Sequence, residues 1–210
     1  MTRPALSAEK IADEALRLID AEGMEAFSFR TLAARLSCQA MSLYHYFPSK
    51  QHLFQALIDR LIQEAADFPD TGEWQALYRQ AAQAWREMAV NHPGFYPYFA
   101  QFRLNHRAGL ALLDRQLAIF DAAGLSPKSR ARHFRAFGFY LNGACLDEVT
   151  GPLSPGATEP MPVAEAALAF PGLMAAAPFF APERRLTTFQ HGLEVMIRAI
   201  EVEIGARTRA

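Results

Sequence analysis

Cysteine is scarce in this chain: Cys38 and Cys145 are the only two, far apart and in no metal-ligand spacing. That scarcity excludes a disulfide scaffold of the secreted kind and fits a reducing compartment. No apolar stretch approaches the roughly 18 to 20 residues needed to cross a bilayer, and no apolar run follows the basic residue near Met1. The sequence therefore predicts no secretory leader and no membrane association, and a cytoplasmic, soluble protein. Strand-like alternation, internal repeats and a Gly-rich phosphate loop are also missing. The six histidines are scattered, with no pair four residues apart. His92, His106 and His133 fall on different elements and make no evident metal site. Cys145 sits on an apolar stripe, which raises a thiol pKa and removes it as a nucleophile. No enzyme, cofactor or metal is expected.

Acidic residues are absent from one segment in particular. Glu9, Asp13, Glu14, Asp20, Glu22 and Glu25 precede it, and positions 27–58 then hold no Asp or Glu. The same segment carries Arg30, Arg35, Lys50, His45 and His52. A local acid-free basic surface can meet a phosphate backbone although the whole chain has a net charge of only −1.

What is present is helical periodicity and 51% hydrophobic residues, enough for a substantial core. Ser7 caps a first helix with Ile11, Ala12, Ala15, Leu16 and Ile19 on one face, and Gly23 stops it. Ser28 caps a second, with Phe29, Leu32, Ala33 and Leu36 inward. After a break at 37–39, a third helix is expected over 40–47, ended by Pro48. Ser49 caps a fourth, whose buried face is Leu53, Phe54, Leu57, Ile58, Leu61 and Ile62. Further helices are expected over 73–91, 107–123, 127–149 and 183–204. Seven prolines within 151–182 exclude one continuous helix there, though 163–170 suits a short one. This segment is expected to fold over the body, anchored by Phe179 and Phe180. The fold class is all-α: a three-helix helix-turn-helix head over 1–50 and a larger helical body over 51–210.

Two short helices packed under a first helix are what a groove-reading helix-turn-helix needs. Gln39, Ser42, Tyr44, His45 and Tyr46 place polar groups on the second of them, opposite Leu43 and Phe47. The ordered text Phe29–Arg30–Thr31–Leu32–Ala33–Ala34–Arg35–Leu36, then Ser42–Leu43–Tyr44–His45–Tyr46–Phe47–Pro48–Ser49–Lys50, then Leu53–Phe54, closely resembles the head of TetR-type regulators, the tetracycline-repressor family. The likeness runs over about residues 7–60. It implies that Arg30 contacts phosphate or a base and that Gln39, Ala40, Met41 and Ser42 meet the groove. It also implies that Tyr44 and Lys50 contact phosphate. Lys50 gains independent support from its place beside a helix N-terminus. Ser37 stands where that text carries Gly, in a turn that a serine tolerates less well. Met41 either touches a thymine methyl or packs inward.

For the body, a dimer is expected, because one head reads few base pairs. Leu186, Phe189, Leu193, Met196 and Ile200 on the last helix form one candidate seam. Phe134, Leu141 and Cys145 on the helix over 127–149 form the other, with Gly138 and Gly143 permitting close approach. The aromatic-rich centre supplies candidate pocket residues: Trp85, Phe95, Tyr98, Phe99, Phe102, His106, Phe120, Phe137 and Tyr140. The resemblance implies a homodimer on a double-stranded, palindromic operator, released by a small apolar or aromatic effector. A dimeric sensor that does not bind an operator is the alternative.

Overall fold

The computed structural model describes residues 6–102, 106–151 and 161–207. Helices dominate, and no strand occurs among the described residues. The chain divides into two compact units, Met1–Val149 and Thr150–Ala210.

The first unit begins with α1 (Ala8–Glu22), α2 (Phe29–Arg35), α3 (Ala40–Tyr44) and α4 (Lys50–Ala65). Their ends are set by local chemistry. The hydroxyls of Ser7, Ser28 and Ser49 accept from the backbone N–H groups of Lys10, Thr31 and His52. Gly23, at φ 84°, ends α1 and donates its N–H to Ile19. α3 is shorter than its periodicity suggests and stops at Tyr44. Phe47 precedes Pro48, and a residue before proline is pushed out of the helical region, so the last turn cannot continue.

The turn after α2 is a Schellman closure. The Cys38 N–H bonds Ala33 O at 2.9 Å, and the Ser37 N–H bonds Ala34 O at 3.1 Å. Ser37 takes the left-handed position at φ 52°, the one non-glycine residue with positive φ among those described. A side chain there costs about 1 kcal/mol, part of which a glycine's greater unfolded-state freedom offsets. Ser37→Gly should stabilise the protein by up to about 0.5 kcal/mol, a rise of roughly 1 to 2 °C in Tm. No rise, or a fall, in a thermal melt would mean that the serine hydroxyl contributes more than the strain costs.

Arg35 lies inside this architecture. Its guanidinium bonds Glu14 at 2.7 Å and Glu22 at 2.9 Å, both on α1. It ties α2 to α1 and so drops out of the free basic surface expected from the sequence.

α5 (Trp74–Asn91), α6 (Tyr96–Phe99), α7 (Arg107–Ala122) and α8 (Pro127–Thr150) complete the first unit. α5 packs against both α4 and α7. Its Tyr78 meets Phe120 of α7 edge-on at 5.7 Å and lies against Phe137 of α8 at 4.3 Å between ring centroids, and the two phenylalanines are 6.0 Å apart. Arg86 of α5 pairs with Glu148 of α8 through both carboxylate oxygens.

The head is held to the rest of the unit by a polar seam. One Asp20 oxygen, on α1, accepts from the backbone N–H groups of Gly94 (3.0 Å) and Phe95 (3.2 Å). Its other oxygen faces His92 Nδ1 at 2.9 Å, and His92 Nε2 faces Glu64 of α4 at 3.0 Å. Arg60 of α4 pairs with Asp13 of α1. From α7, Arg115 donates to the carbonyls of Ala66 (2.7 Å) and Phe68 (2.5 Å), just past the end of α4. A guanidinium there satisfies carbonyls that the helix leaves unpaired.

The second unit holds α9 (Val163–Ala169), α10 (Pro171–Ala176) and α11 (Arg185–Arg207), with 3-10 turns at Ala177–Phe179 and Pro182–Arg184. Pro171 and Pro182 open new elements, the one place in a helix where proline fits. Pro152, Pro155 and Pro160 lie outside the described residues. Phe179 and Phe180 are not anchors. Both are exposed, and the Phe179 ring meets the Arg184 guanidinium at 5.2 Å.

Candidate functional site

Leu43 and Phe47 are buried, and this fixes which face of α3 looks outward. That face carries Met41, 67% exposed, with Tyr44, His45 and Gln39. Ala40 and Ser42 are half-buried. Met41 therefore does not pack inward; its thioether arm stands in solvent. Tyr44 lies against the Phe29 ring at 4.7 Å, which holds the phenol at the surface in one place. Arg30, at the second position of α2, is exposed and has no ion pair among the described residues. Lys50 opens α4 with its ammonium 5.1 Å from the Phe27 ring and 4.8 Å from that of Phe54. Two ring faces preorganise this cation without neutralising it. Tyr46 is different: its hydroxyl donates to Leu6 O at 2.7 Å and ties down the chain before α1. That hydroxyl is committed inside the head, so Tyr46 is a poorer candidate for the interface than its neighbours.

Behind the head, α5, α6, α7 and α8 enclose a cavity of about 450 Å³. Of the aromatics singled out from the sequence, Trp85, Phe99 and Phe102 line it. Six others do not. Phe95 and Tyr98 pack on Phe54, at 5.5 and 5.0 Å. Phe120 and Phe137 belong to the Tyr78 core cluster. His106 caps α7 and bonds Asp59 of α4 at 2.8 Å. Tyr140 is half-buried on α8, outside the lining.

Sequence reasoning singled out Asn142 on α8 as a polar contact, and it lines the cavity, but missed the other walls: Leu113, Gln116 and Leu117 on α7, and Arg135, Gly138 and Phe139 on α8. The i, i+3, i+4 spacing is a readable signal, and so is a glutamine on the apolar stripe of α7. Gln116 is only 3% exposed, and its Nε2 has no partner among the described residues. A buried amide donor without a partner costs about 1 to 3 kcal/mol, so the site suits a group that accepts from it. A second polar element is already satisfied. Trp85 Nε1 donates to the Tyr96 hydroxyl at 3.0 Å, which donates to Asn142 Oδ1 at 3.2 Å.

Burial pushes the Cys145 thiol up to about 12 against a smaller lowering from its Tyr96 hydrogen bond, and the thiolate is absent at neutral pH. No group of three or more His, Cys, Asp or Glu is placed to hold a metal among the described residues. No helix of the described chain is long and apolar enough to cross a membrane.

The residues expected at the dimer seams differ in exposure. Leu141, Cys145, Phe189, Leu193 and Ile200 are all buried within the single chain. Phe134 lines the cavity. Met196 is half-buried, and Leu186 alone of the set is exposed. The exposed faces lie further round each helix. On α8 Ala136 and Gly143 are exposed, and on α11 Val195, Ala199 and Val202 are.

Residues 11–57 match the family described as bacterial regulatory proteins, tetR family. Residues 68–204 match the tetracyclin repressor-like C-terminal domain. The HTH-type transcriptional repressor DrrR1 of Streptomyces coeruleorubidus is 32% identical over 93 residues, which is 43% of this chain. That match spans only 34% of the relative's own length. The class D tetracycline repressor protein of Escherichia coli is 26% identical over 211 residues, covering 96% of this chain and 92% of that protein. Among solved structures, a possible TetR family transcriptional regulator from Streptomyces coelicolor A3(2) superposes with a TM-score of 0.76 at 24% identity. It covers 93% of this chain and 99% of its own.

Proposed function

Because the chain belongs to the TetR family of bacterial regulators, we propose that it is a homodimeric repressor that binds a palindromic operator and is released by a small, largely apolar effector. The observation that carries this reading is the outward face of the head. Arg30, Tyr44 and Lys50 stand uncommitted to any carboxylate, in a segment that holds no acid from 27 to 58. Arg30, Tyr44 and Lys50 contact the phosphates. Gln39, Ala40, Met41 and Ser42 meet base edges at the start of α3, and His45 flanks them. Met41 offers an apolar contact for a thymine methyl. The head extends to residue 50 and the body runs from 51 to 210, so α4 belongs to the body and carries the head.

The exposed faces of α8 and α11 supply the dimer surface. A Cβ added at Gly143 meets nothing within 4 Å inside the chain, so this glycine is not needed for internal packing and suits close approach of a second copy. A ligand in the cavity acts on α7 and α8, and α7 holds α4 through His106–Asp59 and Arg115. Release follows if the ligand binds the DNA-free arrangement better than the DNA-bound one.

The test is a titration of labelled DNA from the upstream region of the chain's own gene at several salt concentrations. Wild type should bind tightly, with affinity falling steeply as salt rises. Tyr44→Ala/Lys50→Ala should bind about tenfold or more weakly. Its salt slope should be shallower by about 1, because the variant neutralises one phosphate fewer. Gly143→Arg should run as a monomer in sedimentation and lose the tight phase. Equal binding of upstream and random duplexes, together with no enrichment in a selection from random DNA, would sink the operator reading.

A further inference from the structure

The polar chemistry of the cavity is one-sided. Among the described residues that line it, Arg135 is the single charged one, and none is an Asp or Glu. Arg135 has no carboxylate partner among the described residues. Its guanidinium lies 5.6 Å from the centre of the Phe139 ring, one turn further along α8, and Phe139 is itself 66% exposed. The pair forms a cationic, aromatic lip on a wall that is otherwise apolar. Positions 127–146 contain no acid, while Lys128 and Arg132 add exposed positive charge on the same helix. The acids on facing α7, Asp114 and Asp121, lie outside the lining, and Asp121 is paired with Arg130 at 2.5 Å. Deeper in, Gln116 Nε2 presents a buried donor without an acceptor.

Both free polar groups therefore donate, and the one charge is positive. A cationic ligand would enter beside Arg135 with no carboxylate to compensate it. A neutral hydrocarbon would leave Gln116 unsatisfied. We propose that the ligand of this cavity is an organic anion: a flat apolar or aromatic body bearing a carboxylate or similar acidic group. Arg135 reads the charge at the mouth, and Gln116 donates to an acceptor on the body inside. This proposal rests on the cavity being the effector site described above.

Two dyes that share one aromatic frame test it, one anionic and one neutral: 1-anilinonaphthalene-8-sulfonate and N-phenyl-1-naphthylamine. Affinities are read from dye fluorescence with the full-length wild type, Arg135→Gln and Gly138→Leu. Gly138 lines the cavity, and a Cβ added to it meets nothing within 4 Å, so leucine fills the space without disturbing the helix backbone. The cavity component is the binding that Gly138→Leu removes. For that component, Arg135→Gln should weaken the sulfonate about tenfold, the value of one charge-assisted contact, and leave the neutral amine within twofold. If Arg135→Gln weakens both dyes alike, or neither, the anion proposal falls while the effector site stands. If Gly138→Leu removes no binding of either dye, the cavity is not where aromatic molecules sit, and the effector reading falls with the proposal.

Discussion

Gly94→Ala is expected to destabilise this protein by about 3 kcal/mol or more. The reason is close approach rather than backbone conformation. A Cβ at position 94 would lie 2.2 Å from the Ile19 carbonyl oxygen, 2.7 Å from its carbon and 2.8 Å from Asp20 Cα. All three are backbone atoms of α1 and cannot rotate aside. Relief requires the turn after α5 to withdraw from α1. Withdrawal breaks the hydrogen bonds of Gly94 and Phe95 to Asp20, each worth about 1 kcal/mol or somewhat more because the acceptor is charged. Urea unfolding at neutral pH measures the loss. Gly138→Ala is the matched control, because its added Cβ meets nothing within 4 Å. A Gly94→Ala stability within about 0.5 kcal/mol of wild type would mean that the two segments do not touch as described.

The second large effect concerns pH. His92 sits between two carboxylates, Asp20 and Glu64, with Asp67 and Glu87 lining the same depression. Burial alone lowers its pKa. The hydrogen bond that His92 donates to Asp20 and the charges of Glu64 and Asp20 outweigh burial, and the net shift is upward. A histidine whose folded pKa exceeds its unfolded value, about 6.5, contributes stability that is fully present below that value. The contribution fades as pH rises through the folded pKa. His92→Gln should therefore cost about 2 kcal/mol at pH 6, the scale of a broken part-buried charged pair. The gap between variant and wild type should narrow as pH rises to 9. Urea midpoints at pH 6, 7.5 and 9 provide the check, and a gap that widens with pH would reverse the assignment of charge to His92. The seam ties α1 to α4, so DNA affinity should weaken in the same variant.

The head is the most legible part of the sequence because its boundaries are local. Ser7, Ser28 and Ser49 cap, Gly23 and Pro48 stop, and each acts through neighbours three or four residues away. Even the strain at Ser37 can be read, since it depends on one residue in one turn. The apolar spacing overstates the length of α3, because it continues to Phe47 while the backbone before Pro48 cannot.

The body is harder to read for a physical reason. A core and a cavity wall use the same aromatic residues, and only tertiary placement separates Phe99 from Phe120. Arg135 and Phe139 escape notice because they face outward at the mouth, where no periodicity marks them. The apolar pattern marks buried faces more strongly than exposed ones for a related reason. α8 and α11 each bury one apolar face inside their own chain, and that face holds the largest residues and dominates the pattern. The exposed sides hold small residues, Ala136, Gly143 and Ala199, among larger ones, and the small ones give a faint signal.

The two sides of α7 divide their labour, and the division bears on how such a protein can diverge. Leu113, Gln116 and Leu117 line the cavity, while Arg115, between them in sequence, projects to the other side and grips the end of α4. Mutations at the three wall positions can reshape chemical preference without loosening the grip. A duplicated copy is free to drift toward a new small molecule through a few changes on one stripe, and the linkage that a signal would travel through is inherited intact.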